Sequence, residues 1–246
     1  MEEEKKKKVV HISVIICMAI MLVSVVGLIM LKYEVEGEKN MPFTLSKIMI
    51  VSTAEGMQNA DEENKWNFQI MQNNDLYFII QKNENYKKEA KIEKVILDNF
   101  QMIENPQVGS FKEYMPNSTE GRTFLNTEEF LIEDKLEYRG AGKTNLKNLE
   151  ISNQGGTIQL RVANEHIGEY ISNEEEQIIH DGTLIQKLDL TNEQLKGKIS
   201  FDLTIKLEDK AFKANIILEL PYGDILTEGT TSIEKTNMDD IIFKRV

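Results

Sequence analysis

The 246-residue chain carries 41 acidic and 29 basic residues, a formal net charge of −12, and a single cysteine, Cys17. That balance excludes a nucleic-acid partner, whose phosphates require a basic footprint, and one cysteine excludes a disulfide within the chain. Cys17 lies in an apolar run, out of reach of an outward-facing base, which rules out a cysteine transpeptidase of the sortase type.

Residues 1–8 are a charged tag that ends in four lysines, Lys5 to Lys8. The uncharged stretch 9–31, Val9 to Leu31, follows, with His11, Ser13 and Ser24 among its few polar residues. A helix rises about 1.5 Å per residue, so ~20 apolar residues cross a ~30 Å hydrocarbon core. The stretch therefore predicts a transmembrane helix in contact with the lipid bilayer. The lysine block stays in the cytoplasm by the positive-inside rule, which puts the C-terminal region outside. The run exceeds the ~7–15 residues of a signal-peptide core, and Leu28 to Lys32 offers no small-x-small cleavage site. An uncleaved signal-anchor is expected. Ile16 before Cys17 does not fit a lipoprotein. Ser13, Cys17, Ser24 and Gly27 fall near one helical face, a pattern that permits close helix approach and that also arises by chance. His11 reads as an interfacial residue.

Residues 32–42 read as a stalk. Beyond Lys32 the chain holds 24 of the 29 basic and 38 of the 41 acidic residues, near −14. Such a surface argues against docking on anionic lipid and suits solubility, cations or a basic partner. The cysteine-free outer region suits a bacterial envelope protein.

Strand signals occupy 43–246. Phe43 to Thr53 is β-rich, ended by Ala54-Glu55-Gly56 and a polar loop through Asn64. Trp66, Phe68 and Ile70 alternate with polar residues. Gln72 to Asp75 reads as a turn and Leu76 to Lys82 as the returning strand of a hairpin. Trp66 is expected in the core. Ile92 to Ile103 is a strand broken near Asp98-Asn99, and Val108 to Tyr114 a short one. Residues 117–135 lose periodicity and mark the candidate split. Leu136 to Arg139 and Leu146 to Ile151 are strands, Gly155-Gly156 a turn, and Ile158 to Val162 a strand that Ile167 to Ser172 pairs with. Thr191 to Leu195 resembles a capped helical turn. Ile199 to Leu207 and Phe212 to Leu220 alternate across a turn at Glu208 to Ala211, a long antiparallel hairpin with one buried face. Ile241 to Val246 is a final strand. About ten to twelve short strands with little helix predict a mainly β fold, an antiparallel β-sandwich region that is one large sandwich or two packed ones.

Motifs that carry chemistry are weak. Ser232 and Lys235 match Ser-x-x-Lys, but the segment is β-prone and lacks a Lys-Thr-Gly partner. His166 beside Glu165, and His180 before Asp181, lack the spacing of a zinc site. Glu174 to Glu176 and Asp239-Asp240 lack the spaced ligands of a calcium loop. Asn117-Ser118-Thr119 fits the glycosylation pattern by chance in a bacterial setting. Leu220-Pro221-Tyr222-Gly223 reads as a strand end. No residue is nominated as catalytic, cofactor-binding or metal-binding.

Asn153 to Ile158, Ser200 to Leu203, Leu220-Pro221, Gly229 to Ser232 and Ile242 to Arg245 together resemble uncharacterised single-pass membrane-anchored proteins of clostridia-like Gram-positive bacteria with an extracytoplasmic β-rich domain. The resemblance covers the last part of the chain best. It implies an envelope location and no catalytic or binding residues. Two functions follow as expectations. One is a non-enzymatic binding or structural module of the cell envelope with an envelope protein partner. The other is a membrane-anchored hydrolase that uses paired carboxylates on cell-wall or surface glycans.

Overall fold

In the computed structural model, which describes residues 2–62, 65–116, 131–173, 176–179, 181–221 and 223–246, helix α1 runs from Glu2 to Glu36. Its segment His11–Glu36 is long and apolar enough to cross a membrane, and none of that span is buried against the rest of the chain. The first residues of the expected stalk are helical. Gly37, with φ of 66°, ends the helix in the left-handed conformation that glycine adopts without strain. Met41 and Phe43 are then buried in the fold, so this connection is packed and not free.

The remainder forms two sheets. The first has the order β10-β1-β2-β7-β4, built from Thr230–Lys235, Phe43–Glu62, Lys65–Lys82, Gly155–Ile171 and Ser110–Tyr114. The second has the order β11-β9-β8-β3-β5-β6, built from Lys244–Arg245, Ala211–Leu220, Gly197–Leu207, Ile92–Glu104, Lys135–Gly140 and Glu150–Ile151. Neighbouring strands are antiparallel except β5 and β6, which are parallel. The mainly β, sandwich-like expectation holds. Ile48, Leu76, Phe78 and Leu160 from one sheet meet Val95, Leu97, Phe201 and Phe212 from the other in a shared core. Phe78 packs edge to face on Phe201 with ring centroids 5.6 Å apart, the arrangement aromatic quadrupoles favour.

The β8–β9 hairpin follows its sequence pattern. Phe201, Leu203, Ile205, Phe212, Ala214 and Ile216 are buried, and the out-of-phase Ile217 is exposed. β3 is irregular where expected, with Asn99 at φ of 55° and a register shift between Asp98 and Gln101.

Several expectations are corrected, among them the turn at Gly155-Gly156, which instead opens β7. β1 does not stop at Ala54, and Gln72 to Asp75 is not a turn. β1 and β2 pair from Phe43↔Lys82 to Asn59↔Asn67, with one irregularity at Ser46, and with Ser52 opposite Asn74 and Ala54 opposite Gln72. The chain reverses only after Glu62, because Gln72, Asn74 and Asp75 find side-chain or backbone partners within the sheet and do not need a turn. Trp66 consequently lies near the tip of this hairpin and is 47% exposed. Ile158 to Val162 and Ile167 to Ser172 are not partners. Both belong to β7, where Glu165, His166 and Ile167 stand opposite the single residue Met71 in a bulge. Leu146 to Ile151 is mostly a 3-10 turn, Lys147–Leu149, followed by the two-residue β6.

β1, β2 and β7 extend beyond the second sheet. Their inward face there is covered by a 3-10 helix, Gly182–Leu188, and a short helix α2, Asn192–Leu195. Ala54, Phe68, Ile70, Ile167, Leu184, Ile185, Leu195 and Ile225 form this second core. Asp181 caps the 3-10 helix by accepting from the Thr183 amide at 2.8 Å. The capping box of Thr191 and Gln194 forms as the sequence indicated.

Phe201 touches both sheets and has no exposed surface. Phe201→Ala is expected to cost about 3–5 kcal/mol through lost transfer energy and an unfilled cavity. Urea denaturation of the full chain in detergent checks it.

Candidate functional site

Three features are candidates: the joint between helix and sandwich, a line of buried polar side chains across the long sheet, and a cleft beside β3 and β5.

The joint brings both ends of the fold together. The Gly37 amide donates to the Tyr33 carbonyl at 2.8 Å, and the Glu38 amide to the Phe243 carbonyl at 2.7 Å. The Arg245 amide donates to the Tyr33 hydroxyl at 2.8 Å. Lys244 pairs with Glu34, and β11 binds β9 through Lys244↔Lys213 and Arg245↔Phe212. On the other side, the Asn83 amide and side chain donate to the carbonyls of Pro42 and Met41, each at 2.8 Å. A Cβ on Gly37 would collide with the Phe243 carbonyl. The Lys244–Glu34 pair is largely solvated and contributes little. The backbone bonds and the glycine fit hold the joint.

The polar line runs across β1, β2 and β7. The Ser52 hydroxyl donates to Asn74 Oδ1 at 2.6 Å, and Gln72 Nε2 to the same oxygen at 2.9 Å. Asn74 Nδ2 donates to the Val162 carbonyl at 3.0 Å, and Asn164 Nδ2 to the Val108 carbonyl at 3.0 Å. All four side chains are fully buried. Register and the two-residue period put them on the inward face, between Ile50 and Leu76 on one side and Ala54 and Ile70 on the other. Gln72 Oε1 and Asn164 Oδ1 have no protein donor.

Charges occupy the opposite face. Asp75 accepts from Arg161 Nε at 2.7 Å and Nη2 at 2.6 Å, a two-pronged pair. Glu165 accepts from Lys112 at 2.7 Å and from the Tyr114 hydroxyl. Burial, and then the Glu165 carboxylate, push the Tyr114 hydroxyl far above its usual range.

The cleft, of roughly 550 Å³, is lined by Lys91, Lys94, Glu137, Arg139, Lys143 and Glu208 among others. Burial favours protonation of Glu137, but hydrogen bonds from Lys94 and Arg139, each at 2.9 Å, outweigh it and hold the carboxyl below its ordinary value. Glu137 is thus ionised and occupied. A general acid for glycoside cleavage needs the opposite shift. Among the described carboxyls it is Glu113, on edge strand β4, that burial pushes up, and Glu113 does not line this cleft.

The residues singled out in the sequence are dispersed. His166 sits in the β7 bulge at φ of 57° with its ring bonded to Gln69. Its neighbour Glu165 is held by Lys112 and Tyr114. His180, Tyr222, Glu174, Glu175 and Asn117 to Thr119 lie outside the described residues. Among the described residues no three His, Cys, Asp or Glu side chains converge as a metal site would require. Ser232 and Lys235 lie on strand β10, where a spacing of three puts them on opposite faces, and Lys235 binds Asp240 at 2.5 Å. The joint and the polar line escaped sequence reading. Comparison with known protein families, curated proteins and solved structures finds no match.

Gly37→Ala is expected to open the joint and leave the sandwich folded. Limited proteolysis should cut within residues 37–42 faster, with the urea midpoint nearly unchanged.

Acid should weaken the sandwich. Burial raises the Asp202 carboxyl, but Asn215, Lys213 and Asn99 together hold it below its ordinary 3.8, as Glu137 is held below 4.5. A carboxyl lowered in the folded state supplies stability that is complete above its ordinary value and lost as pH falls through the lowered one. The urea midpoint should therefore decline below about pH 4.5, and Asp202→Asn should lower it at pH 7 and flatten the decline.

Proposed function

We propose that this chain is a single-pass bacterial envelope protein. Its helix holds a non-enzymatic β-sandwich at the extracytoplasmic face of the cell membrane, and the end of the sandwich remote from the helix meets a protein partner. The supporting observation is the opposition of the two ends of β1 and β2. Phe43 and Lys82 lie beside the joint, while Glu62 and Lys65 close the same hairpin at the far end. At about 3.3 Å per residue, the strands span on the order of 60 Å. A domain clamped to its anchor at one end presents the other end outward.

That far end carries apolar side chains in water. Trp66 is 47% exposed, and Ile171, opposite its neighbour Asn67, is 57% exposed. Tryptophan is the residue most enriched among side chains that dominate protein–protein binding. An extracytoplasmic location also fits the absence of cysteine beyond Cys17 and the lysine block ahead of the helix.

A membrane-impermeant, amine-reactive crosslinker applied to intact cells tests the reading. Lysines of the sandwich should react and one protein should be recovered reproducibly with the chain. Trp66→Ser combined with Ile171→Ser should lose that protein without lowering the urea midpoint. Sandwich lysines that react only after cell lysis would overturn the orientation. A partner retained by the double variant would overturn the assignment of the binding end.

A further inference from the structure

The end of the sandwich beside α1 holds a concave pocket of roughly 320 Å³. Lys87 and Lys88 from the β2–β3 connection, Lys210 from the β8–β9 turn and Arg245 from β11 line it, with Asn40, Tyr86 and one carboxylate, Glu38. Many cations on the sheets are matched, such as Lys94 with Glu137, Lys213 with Asp202, Arg161 with Asp75 and Lys235 with Asp240. The four cations of this pocket have no such carboxylate partner. Lys210 instead donates to the Tyr86 hydroxyl at 2.9 Å and lies 5.2 Å from the centre of its ring. Those contacts fix the ammonium and leave its other N–H donors free. Glu89, Glu208 and Asp209 line an adjoining depression, which shares Tyr86, Lys88 and Lys210 with this pocket, and none of the three carboxylates lines the pocket itself. Unmatched cations that converge in a concavity make a site for an anion with several oxygen acceptors.

The joint sets the height of that pocket. The Arg245 amide is bonded to the Tyr33 hydroxyl, and the Glu38 amide to the Phe243 carbonyl. Tyr33 follows the apolar run that ends at Leu31 by two residues, about 3 Å of helix rise. The headgroup layer is about 5–8 Å thick on each side of the hydrocarbon. Arg245 therefore stands at headgroup height once α1 crosses a bilayer, with Glu38 just beyond the outer edge of that layer, and tyrosine is itself enriched at that level.

We propose that this pocket binds the phosphate headgroup of an anionic phospholipid of the bilayer that holds α1. The inference rests on α1 lying in a membrane and is independent of what the far end of the sandwich meets. Lys87, Lys88, Lys210 and Arg245 take the phosphodiester oxygens. The bound lipid adds a second attachment to the covalent one and fixes the tilt of the sandwich over the membrane.

The test uses the full chain in nanodiscs of phosphatidylcholine alone or with phosphatidylglycerol, and co-elution with the discs verifies insertion of α1 beforehand. Amide exchange is read over residues 83–91 and 209–212. With phosphatidylglycerol, exchange there should slow by roughly tenfold, as an occupied site suppresses local opening, and high salt should reverse the effect. Lys87→Glu with Lys88→Glu should abolish the slowing while β8 amides exchange as before. If β8 is disturbed, Arg245→Gln, which keeps the backbone bond to Tyr33, should reduce the slowing instead. Equal exchange in the two kinds of disc would overturn the proposal. So would the same slowing from millimolar inorganic phosphate in phosphatidylcholine discs, which would make this a soluble-anion site.

Discussion

Phe78 against Phe201, edge to face across the gap between the sheets, marks the constraint on which the structure turns. β2 must keep one parity along its whole length. Phe78 points inward, so Ile80, Leu76, Asn74, Gln72, Ile70 and Phe68 point inward too. A slip by one residue would turn Leu76 and Phe78 to solvent and bring Asp75 and Tyr77 into the core. Because β2 outruns the second sheet, the same parity leaves Ile70 and Phe68 with no facing sheet. Leu184, Ile185, Leu195 and Ile225 supply the missing cover. The 3-10 helix and α2 are therefore a consequence of strand length. Their place is fixed where Gly182 and Gly229 cross so closely that a Cβ on either would meet the other's backbone.

The polar line solves a problem that parity alone leaves open. A slip by two residues keeps every side chain on its face, and a uniformly apolar interior would tolerate it. Ser52, Gln72, Asn74 and Asn164 do not. Moved by two, they would sit among Ile50 and Leu76 or among Ala54 and Ile70, with their hydrogen bonds broken. Each buried polar group so stranded costs about 1–3 kcal/mol. The line thus acts as a register pin between two apolar cores, at the level where the second sheet gives way to the 3-10 helix. It also explains why the two cores are separate clusters.

Much of this was legible locally. The alternation of Ile199 to Leu220, the Thr191 capping box and the break at Asn99 all appear at the sequence spacing that causes them. The apolar run of α1 needs no partner to be read. What failed were places where one residue type serves two ends. Gln-Asn-Asn-Asp is turn chemistry when exposed and a hydrogen-bonding ladder when buried, and only the neighbouring strands decide between them. Trp66 keeps the inward parity of Phe68, yet it stands past the cover, so pattern predicted burial and length denied it. The β7 bulge reads as two short strands because Glu165, His166 and Ile167 shift the phase within one. The joint was beyond any local window, since Arg245 and Tyr33 are 212 residues apart.

Charge gives the same lesson at larger scale. The region beyond the helix is near −14, and an average of that sign predicts repulsion from an anionic surface. Electrostatic attraction, however, falls off within a Debye length of about 8–10 Å. A bilayer feels the charges that face it, and not the sum over a domain some tens of ångströms tall. Folding sorts those charges. Where carboxylates are plentiful, cations such as Lys94, Lys213 and Arg161 are neutralised by neighbours on the sheets. Lys87, Lys88 and Lys210 lie on the connections between strands and Arg245 on the two-residue β11, and the four converge on one pocket without an ion pair among the described residues. With α1 across a bilayer, the helix joint would bring that end of the sandwich to the membrane. The acidic bulk of the domain would then be carried away from that surface along the length of β1 and β2, beyond the reach of the field that its charge would otherwise oppose.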